Sequence, residues 1–499
     1  MAKSRQVYIK RFKNNEFEKK QQNKIVESVI KCQNKIDEFE KIWQNKNRKF
    51  VERTINTVFK RKIYNRLLEW KKTSEGKTAV LVEGARRVGK STLVEEFAKN
   101  EYESYILVDF YSASPEIKNL FEDLSDLNYI FLQLQLQYQV SLIERKSVII
   151  FDEVQLCPKA RQAIKALVND GRYDYIETGS LISIKKNVKD ILIPSEEEKI
   201  KMYPMDFEEF RWALGDKTTI PMLRQIFDSK KFVGDVAHRK IMRDFRMYML
   251  VGGMPQAVEA YIETNDFRKV DSIKRNILEL YKDDFRKIDP TGKLSILFEA
   301  IPAQLMSNAS RYQVSSVIEG SRASKILEQI TELKESGVVL VAYHANDPNV
   351  GMAQNKDLTR FKLFMTDTGL FTTLVFKDKD YTENDIYKKL LSDKLQANLG
   401  YLYENAVAQC LAANGHELYY YTFKKEESKH NYEIDFLISE KNKISPIEVK
   451  SSGYNTHPSI DNFSKKYSSR VLNKYLLGVK DYSKDKDLEI YPIYMAQFL

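Results

Sequence analysis

Short apolar runs recur between residues 78 and 180, and each ends in small or polar residues. The runs are TAVLVEG (78–84), SYILVDF (104–110), SVIIFDE (147–153) and YDYIETGS (173–180). Helical patterns separate them. Unbroken apolar runs are typical of strands buried on both faces, and strands that alternate with helices pair in parallel. The pattern predicts a three-layer α/β domain around a parallel sheet.

The pattern changes after this domain. Residues 207–303 are mostly helical, interrupted mainly by the GGMP segment at 252–255. Residues 297–367 indicate a helix, a short helix and another helix before two strands, VVLVAYH (338–344) and FKLFMTD (361–367). From residue 400 a helix, three strands and a helix are predicted, with EIDFLI and PIEVKS as the last two strands. We find no internal repeats.

The N-terminal segment has a different, heptad pattern. Apolar residues follow alternating steps of four and three, and Lys46 takes one apolar position. The apolar positions are Ile25, Val29, Cys32, Ile36, Phe39, Trp43 and Phe50. This spacing predicts a helix over about residues 16–60. Its apolar face could pair with a second chain or pack on its own protein, and the pattern does not decide between them.

Composition limits the class of protein. A chain of 499 residues with 43% hydrophobic and 30% charged residues is expected to form about three domains. No apolar run approaches the ~20 residues of a membrane helix, and the first residues lack a secretory apolar stretch. Cys32, Cys157 and Cys410 lie far apart, which excludes a zinc finger and a disulfide framework. We expect a reduced, cytoplasmic protein with no membrane partner.

The net charge of +10 is concentrated at the N-terminus. Residues 1–75 hold 21 Lys and Arg against 9 Asp and Glu, so this segment alone is more positive than the whole chain. A basic arm attracts phosphate backbones and other acidic surfaces. A solvated helix face explains the same composition, and both interpretations stay open.

Residues 84–91 match the phosphate-loop pattern G-x-x-x-x-G-K-[ST] in full, between a predicted strand and a predicted helix. The glycines let backbone N–H groups surround phosphates at a helix N-terminus. Lys90 is predicted to reach the β- and γ-phosphates of ATP, and Ser91 to bind Mg²⁺. Arg86 and Arg87 are candidates for phosphate or interdomain contacts. The predicted cofactor-binding residues of the loop are Gly84, Arg86, Arg87, Val88, Gly89, Lys90, Ser91 and Thr92.

Acidic residues follow the apolar run at 147–151. Asp152 is predicted to hold Mg²⁺, and Glu153 to act as the general base that orients the attacking water. Thr178 and Ser180 end the next strand, where their hydroxyls could sense the γ-phosphate. Thr and Ser also end strands for ordinary turn reasons.

These residues resemble prokaryotic AAA-type ATPases that combine a GARRVGKST loop, an IIFDEVQ strand and a following TGS with a C-terminal PD-(D/E)XK nuclease-like domain. The segments MYPMDFEEF (202–210), GGMPQAV (252–258) and FKLFMTDTGL (361–370) extend the resemblance over nearly the whole chain from about Phe59. By the same resemblance Pro255 belongs to a G-x-P lid motif near the adenine and sugar. An ordinary turn between two helices explains that motif equally well.

The resemblance implies an α/β fold with a P-loop AAA-type core, and composition adds an N-terminal basic helical arm. The predicted domains are the arm (1–58), the ATPase core (59–200), a helical lid (201–290), a winged-helix-like segment (291–380) and a PD-(D/E)XK nuclease-like α/β domain (381–499).

Four charged residues form a second candidate site near the C-terminus. Glu404 lies on a predicted helix, Asp435 on one predicted strand, and Glu448 and Lys450 on the next. Residues two apart on a strand share a face, and clustered carboxylates need a cation. We predict that Glu404, Asp435 and Glu448 bind Mg²⁺ and that Asp435, Glu448 and Lys450 are catalytic. One alternative is that Glu448 and Lys450 form an exposed ion pair on a strand. Another is that the nuclease fold is kept only for binding.

DNA is the expected partner of this domain, although residues 400–499 carry 13 basic and 13 acidic residues and so have no net charge to hold it. The contacts with DNA could come from the basic arm or from a recognition helix beginning at residues 321–325. That helix could equally pack between domains. The sequence therefore predicts an ATPase coupled to a nuclease-like domain that acts on DNA. The alternative is an ATP-switched scaffold with an inert nuclease fold. A homo-oligomer is compatible with either, and no arginine finger can be assigned.

Overall fold

The computed structural model describes residues 58–180, 194–307, 309–377, 391, 400–425, 430–451 and 456–499. The heptad positions and residues 16–57 of the predicted N-terminal helix lie outside this part of the chain, and residues 58–60 are not helical. Elements are numbered in chain order from Val58 onwards.

A five-stranded parallel sheet forms the first layer of the fold, in the order β2-β3-β4-β1-β5. The strands are β1 Ala79–Glu83, β2 Ser104–Asp109, β3 Ser147–Asp152, β4 Asp174–Gly179 and β5 Glu197–Lys201. Every residue of β1, β3 and β4 is buried. The α/β class and the parallel sheet predicted from the sequence are thereby confirmed.

The strand β5 was not predicted. Its sequence is EEKIK, and only Ile200 of its five residues is fully buried. A strand at the edge of a sheet gains its hydrogen bonds from one neighbour, here β1, and needs little apolar surface. Such a strand leaves no hydrophobic pattern for sequence analysis to find.

Helices cover both faces of this sheet. They are α1 Ile63–Ser74, α2 Lys90–Glu101, α3 Pro115–Asn119, α4 Leu127–Tyr138 and α5 Pro158–Asp170. The helix α5 starts with proline, whose fixed φ suits the first turn, and ends at Gly171 in the left-handed region.

A helical region follows the sheet. Its helices are α6 Phe207–Ala213, α7 Thr219–Ser229, α8 Asp235–Val251, α9 Pro255–Thr264, α10 Phe267–Ile288, α11 Lys293–Glu299 and α12 Ile301–Met306. Asp206 and Glu209 cap α6 reciprocally, each side chain accepting the other residue's backbone N–H.

The rest of the chain builds an eight-stranded sheet in the order β12-β13-β11-β10-β9-β8-β6-β7. Its helices are α13 Leu327–Glu335, α14 Thr368–Val375, α15 Gly400–Ala413 and α16 Pro458–Lys466. Its strands are β6 Val339–Ala345, β7 Lys356–Met365, β8 Tyr419–Lys424, β9 Asn431–Glu440, β10 Lys443–Lys450, β11 Lys474–Gly478, β12 Ser483–Asp485 and β13 Leu488–Pro492. Sequence analysis did not predict β11, β12 or β13.

The first two strands of this sheet come from the predicted winged-helix-like segment. β6 pairs antiparallel with β7 and parallel with β8, with Tyr343 opposite Tyr419. One sheet therefore crosses the predicted domain boundary at residues 380 and 381. The predicted recognition helix also differs, because Arg322 is extended, residues 323–325 form a 3₁₀ turn, and α13 begins only at Leu327.

No helix in the described ranges is long and apolar enough to cross a membrane. Cys157 and Cys410 are both buried free thiols.

Candidate nucleotide site and carboxylate cluster

The phosphate loop joins β1 to α2. Gly89, with a φ of 95°, precedes the first helical residue, Lys90. The Lys90 side chain is buried, and its ammonium donates hydrogen bonds to the carbonyls of Gly84 at 3.1 Å and Ala85 at 3.0 Å. A φ of 95° strongly favours glycine, and at Gly89 it lets the loop turn directly into α2.

The first turn of α2 is tied to the end of β3. The Ser91 hydroxyl donates to Asp152 Oδ1 at 2.8 Å, and the Thr178 hydroxyl donates to the same oxygen. β3 and β4 lie side by side, which brings Asp152 and Thr178 together at the carboxyl edge of the sheet. The structure therefore joins three residues that the sequence placed on three separate elements.

Burial lowers the pKa of Lys90, and attraction to Glu153 and Asp152 opposes that shift. An ammonium buried near two carboxylates suits a negatively charged ligand with a bound cation, as a nucleotide with its metal ion is. The hydroxyl of Ser91 and the carboxylate of Asp152 are oxygen donors of the type that Mg²⁺ prefers, so these residues fit the predicted magnesium site.

Glu153 lies directly after β3 with a φ of 53°, in the left-handed region. Its backbone N–H donates to the Thr178 hydroxyl at 3.3 Å, and the Gln155 amide donates to its carboxylate. A positive φ on a residue that is not glycine costs free energy and occurs often at active sites. Here it turns the chain immediately after the strand that carries Asp152.

Residues from two other parts of the chain bind the phosphate loop. Arg61, just before α1, donates to the Val88 carbonyl at 2.9 Å and pairs with Glu209 at 3.1 Å. From α10, Tyr281 donates to the Arg86 carbonyl at 2.8 Å, while Asp284 pairs with the Arg86 guanidinium at 3.3 Å.

Sequence analysis missed Arg61, Tyr281 and Asp284. No local motif marks them, and their sequence separations from the loop residues they contact run from 27 to 198. Arg87 and Thr92 are exposed and Ser180 is half-buried.

The segment GGMP meets both the loop and the C-terminal half. A Cβ atom placed on Gly89 would lie 3.5 Å from Pro255 Cγ, so Pro255 borders the phosphate loop. The N–H of Gly253 donates to the buried Asp367 carboxylate at 2.6 Å. Two segments of the family resemblance, GGMPQAV and FKLFMTDTGL, thus contact each other directly.

The C-terminal carboxylates lie around a lysine that sequence analysis did not single out. Lys362 Nζ lies 2.8 Å from Glu404 Oε1 and 2.5 Å from Glu433 Oε1. Burial raises the pKa of Asp435 well above its usual value, Glu404 adds to the rise, and Lys362 opposes it. Glu404 and Asp435 therefore share a cluster with Lys362 and Glu433.

Glu448 has a different partner, since its carboxylate pairs with Lys450 at 3.3 Å. Lys450 also donates to the Thr456 carbonyl, and the Val449 N–H donates to Asp435 Oδ2 at 2.8 Å. Burial raises the pKa of Glu448. In the described part of the chain, no three His, Cys, Asp or Glu residues are arranged to hold a metal ion. Of the predicted ligands, Glu404 and Asp435 lie together, while Glu448 pairs with Lys450, and their binding of Mg²⁺ stays a prediction.

Residues 76–211 match the family model described as an AAA domain. This range contains the phosphate loop, Asp152 and Thr178. Residues 76–211 therefore form an AAA domain. Two further matches are to domains of unknown function, DUF8612 over residues 242–381 and DUF4143 over residues 399–496. The second contains the predicted nuclease-like residues and names no activity.

Solved structures give weaker likenesses to this chain. A Walker-type ATPase of Pyrococcus abyssi is 17% identical, with 64% of this chain and 96% of that chain covered and a TM-score of 0.38. Cdc6p of Pyrobaculum aerophilum is 12% identical, with 68% and 97% covered and a TM-score of 0.22. PCH-2 of C. elegans is 12% identical, with 44% and 70% covered and a TM-score of 0.26. Among curated proteins, no sequence matches significantly.

Proposed function

We propose that the protein binds Mg-ATP at the phosphate loop and hydrolyses it. The observation that carries this proposal is the hydrogen-bonded set of Ser91, Asp152 and Thr178 beside Lys90. The AAA domain match over the same residues supports it. Mg²⁺, held by Ser91 and Asp152, would neutralise charge on the phosphates.

The residues of the chain supply binding and positioning. Phosphate oxygens compete with the Gly84 and Ala85 carbonyls for the Lys90 ammonium, and a charged partner makes the stronger hydrogen bond. The backbone N–H groups at the start of α2 add partial positive charge. Glu153, one residue beyond Asp152, orients the attacking water and takes its proton.

Three variants test this site. Lys90→Ala is expected to lose ATP binding, because the buried ammonium is gone. Glu153→Gln is expected to bind ATP normally and to hydrolyse it about 10²–10⁴-fold more slowly, the usual contribution of a general base. Lys99→Ala is the matched control, since Lys99 lies on the same helix but is exposed and pairs with Glu95.

Binding is measured by calorimetry with Mg-ATP, and hydrolysis by phosphate release. Normal hydrolysis by Lys90→Ala contradicts the proposed site. Normal hydrolysis by Glu153→Gln contradicts only the role of the base.

For the C-terminal domain, the sequence left a DNA-acting nuclease and an inert binding fold as alternatives. The contacts of Lys362 with Glu404 and Glu433 favour the binding fold. We therefore propose an ATP-switched protein whose C-terminal domain binds a partner. DNA binding, the formation of a homo-oligomer and coupling between the ATP site and the C-terminal domain stay predictions. Titrating labelled DNA with and without ATP tests DNA binding.

A further inference from the structure

Lys362 is a charged residue in an otherwise apolar part of β7. The segment Phe361–Met365 is buried throughout, and the Lys362 side chain is 8% exposed. A lysine is almost never buried this deeply unless its charge is paired. The partners of Lys362 therefore explain why this sheet contains it.

Its partners come from two other elements. Glu404 reaches it from α15 and Glu433 from β9, at 2.8 and 2.5 Å. The ammonium also lies 5.6 Å from the centre of the Tyr420 ring. Two carboxylates from two other elements thus pair with the Lys362 ammonium.

The Lys362 ammonium contacts one carboxylate oxygen of Glu404 and one of Glu433, which are the type of atom that a metal ion would bind. Mg²⁺ binds carboxylate oxygens at about 2.0–2.1 Å and demands near-octahedral geometry. A divalent cation beside Glu404 would either displace Lys362 or lie next to its buried ammonium, and the two positive charges repel each other. The lysine therefore opposes the binding of a metal ion in this cluster.

We propose that the Lys362 ammonium takes the place of a divalent cation in the C-terminal cluster, so that Glu404, Glu433 and Asp435 are held together without a metal ion. The inference is independent of the ATPase activity proposed above, because it concerns only the second sheet. It turns a predicted catalytic metal site into an internal ion-pair cluster that joins α15, β7 and β9.

The test measures Mn²⁺ binding to the full chain without nucleotide, by electron paramagnetic resonance of free Mn²⁺. All proteins in this test, the parent included, carry Asp152→Asn, so that the proposed metal site of Ser91 and Asp152 does not contribute. Lys362→Met keeps the length of the side chain and removes its charge. Lys474→Met is the matched control, since Lys474 lies on β11 of the same sheet and pairs with Asp487.

We expect no specific Mn²⁺ binding by the parent protein or by Lys474→Met. Lys362→Met should bind Mn²⁺ specifically, with an affinity at least about tenfold above the upper limit measured for the parent protein, because a buried positive charge no longer repels the ion. Adding Asp435→Asn to Lys362→Met should abolish that gain.

Two results overturn the proposal. One is Mn²⁺ binding by the parent protein that Asp435→Asn removes. The other is a folded Lys362→Met protein, judged by circular dichroism, with no gain in Mn²⁺ affinity. If Lys362→Met does not fold, the parent and Asp435→Asn decide, because the proposal requires that neither binds Mn²⁺. The test measures Mn²⁺ binding without nucleotide and does not bear on ATP hydrolysis. A failure of this proposal is therefore distinct from a failure of the ATPase proposal.

Discussion

At the scale of single residues, buried charges give this chain several of its specific contacts. Lys362 pairs with two carboxylates, and Arg161 pairs with Glu197 at 3.0 Å inside the ATPase core. Glu177 on β4 is also buried, but its carboxyl lies beside that of Glu197, a group of the same charge. Burying a carboxylate beside a like charge reduces stability, so the cost of burying Glu177 can be measured.

Burial raises the pKa of Glu177 well above its usual value, the nearby Glu197 adds to the rise, and Arg161 opposes it. The folded protein therefore binds this proton more tightly than the unfolded chain. Its contribution to stability is full below the unfolded pKa of 4.5 and falls as pH rises towards the folded pKa. Glu177→Gln should raise the free energy of unfolding at neutral pH by about 1–3 kcal/mol and flatten its pH dependence.

Urea unfolding at pH 5 and pH 8 checks this expectation. Glu198→Gln is the control, since Glu198 is exposed on β5. If Glu177→Gln is no more stable than the parent at pH 8, burial of Glu177 does not lower the free energy of unfolding.

At the scale of elements, α10 fixes the phosphate loop from outside the strand and helix that carry it. The Tyr281 hydroxyl holds the Arg86 carbonyl, and Asp284 holds the Arg86 guanidinium. A phosphate loop binds through backbone N–H groups, so its affinity depends on how well its backbone is held. The orientation of α10 is therefore expected to influence ATP affinity.

Tyr281→Phe removes one hydrogen bond from the loop and should raise the KM for ATP. The free energy of unfolding should fall by about 0.5–1.5 kcal/mol. Tyr312→Phe is a matched control, because the Tyr312 hydroxyl donates to the Leu297 carbonyl at the same 2.8 Å, away from the loop. Both variants should lose similar stability, and steady-state ATPase assays should show a changed KM only for Tyr281→Phe. Equal KM values for the two variants rule out a role for α10 in holding the loop.

At the scale of the whole molecule, the helical region and the second sheet are joined through buried polar contacts. Lys274 on α10 donates to the carbonyls of Leu250, on α8, and Gly369, on α14, at 2.6 and 3.1 Å. Asp367 accepts the N–H of Gly253. A Cβ on Gly253 would lie 2.0 Å from the Met205 carbonyl oxygen, so no larger residue fits there. Through these contacts the GGMP segment (252–255), which borders the phosphate loop, packs together with β7 and α14.

Burial lowers the pKa of Lys274 to about 8, although Asp271 and Asp367 oppose the shift. The unfolded chain then binds this proton more tightly than the folded protein. Stability should therefore rise between about pH 8 and the ordinary lysine pKa of 10.5, which applies to the unfolded chain. Lys274→Met should lack that rise and should be less stable overall, because two buried carbonyls lose their donor.

The measurement is the difference in unfolding free energy between the parent and Lys274→Met at pH 7.5 and pH 10. Lys99→Met, at an exposed position, controls for the general effect of removing a lysine. A difference that does not grow with pH contradicts the lowered pKa of Lys274.

The sequence by itself determined which residues lie together at the phosphate loop. Gly84 to Ser91 are contiguous, and the buried runs before Asp152 and Thr178 place both residues at the same edge of a parallel sheet. Local spacing and strand order were sufficient there, because parallel strands end together.

Only the tertiary structure decided what surrounds these residues. The edge strand β5 carries almost no apolar signal, and Tyr281 lies 195 residues from the carbonyl it holds. In the second sheet, β6 and β7 join strands from beyond residue 400, so Lys362 meets Glu404 and Glu433. A sequence pattern shows which carboxylates could bind a metal ion. Which cation reaches them depends on packing between distant segments, because a buried charge takes whichever partner the fold brings within contact distance.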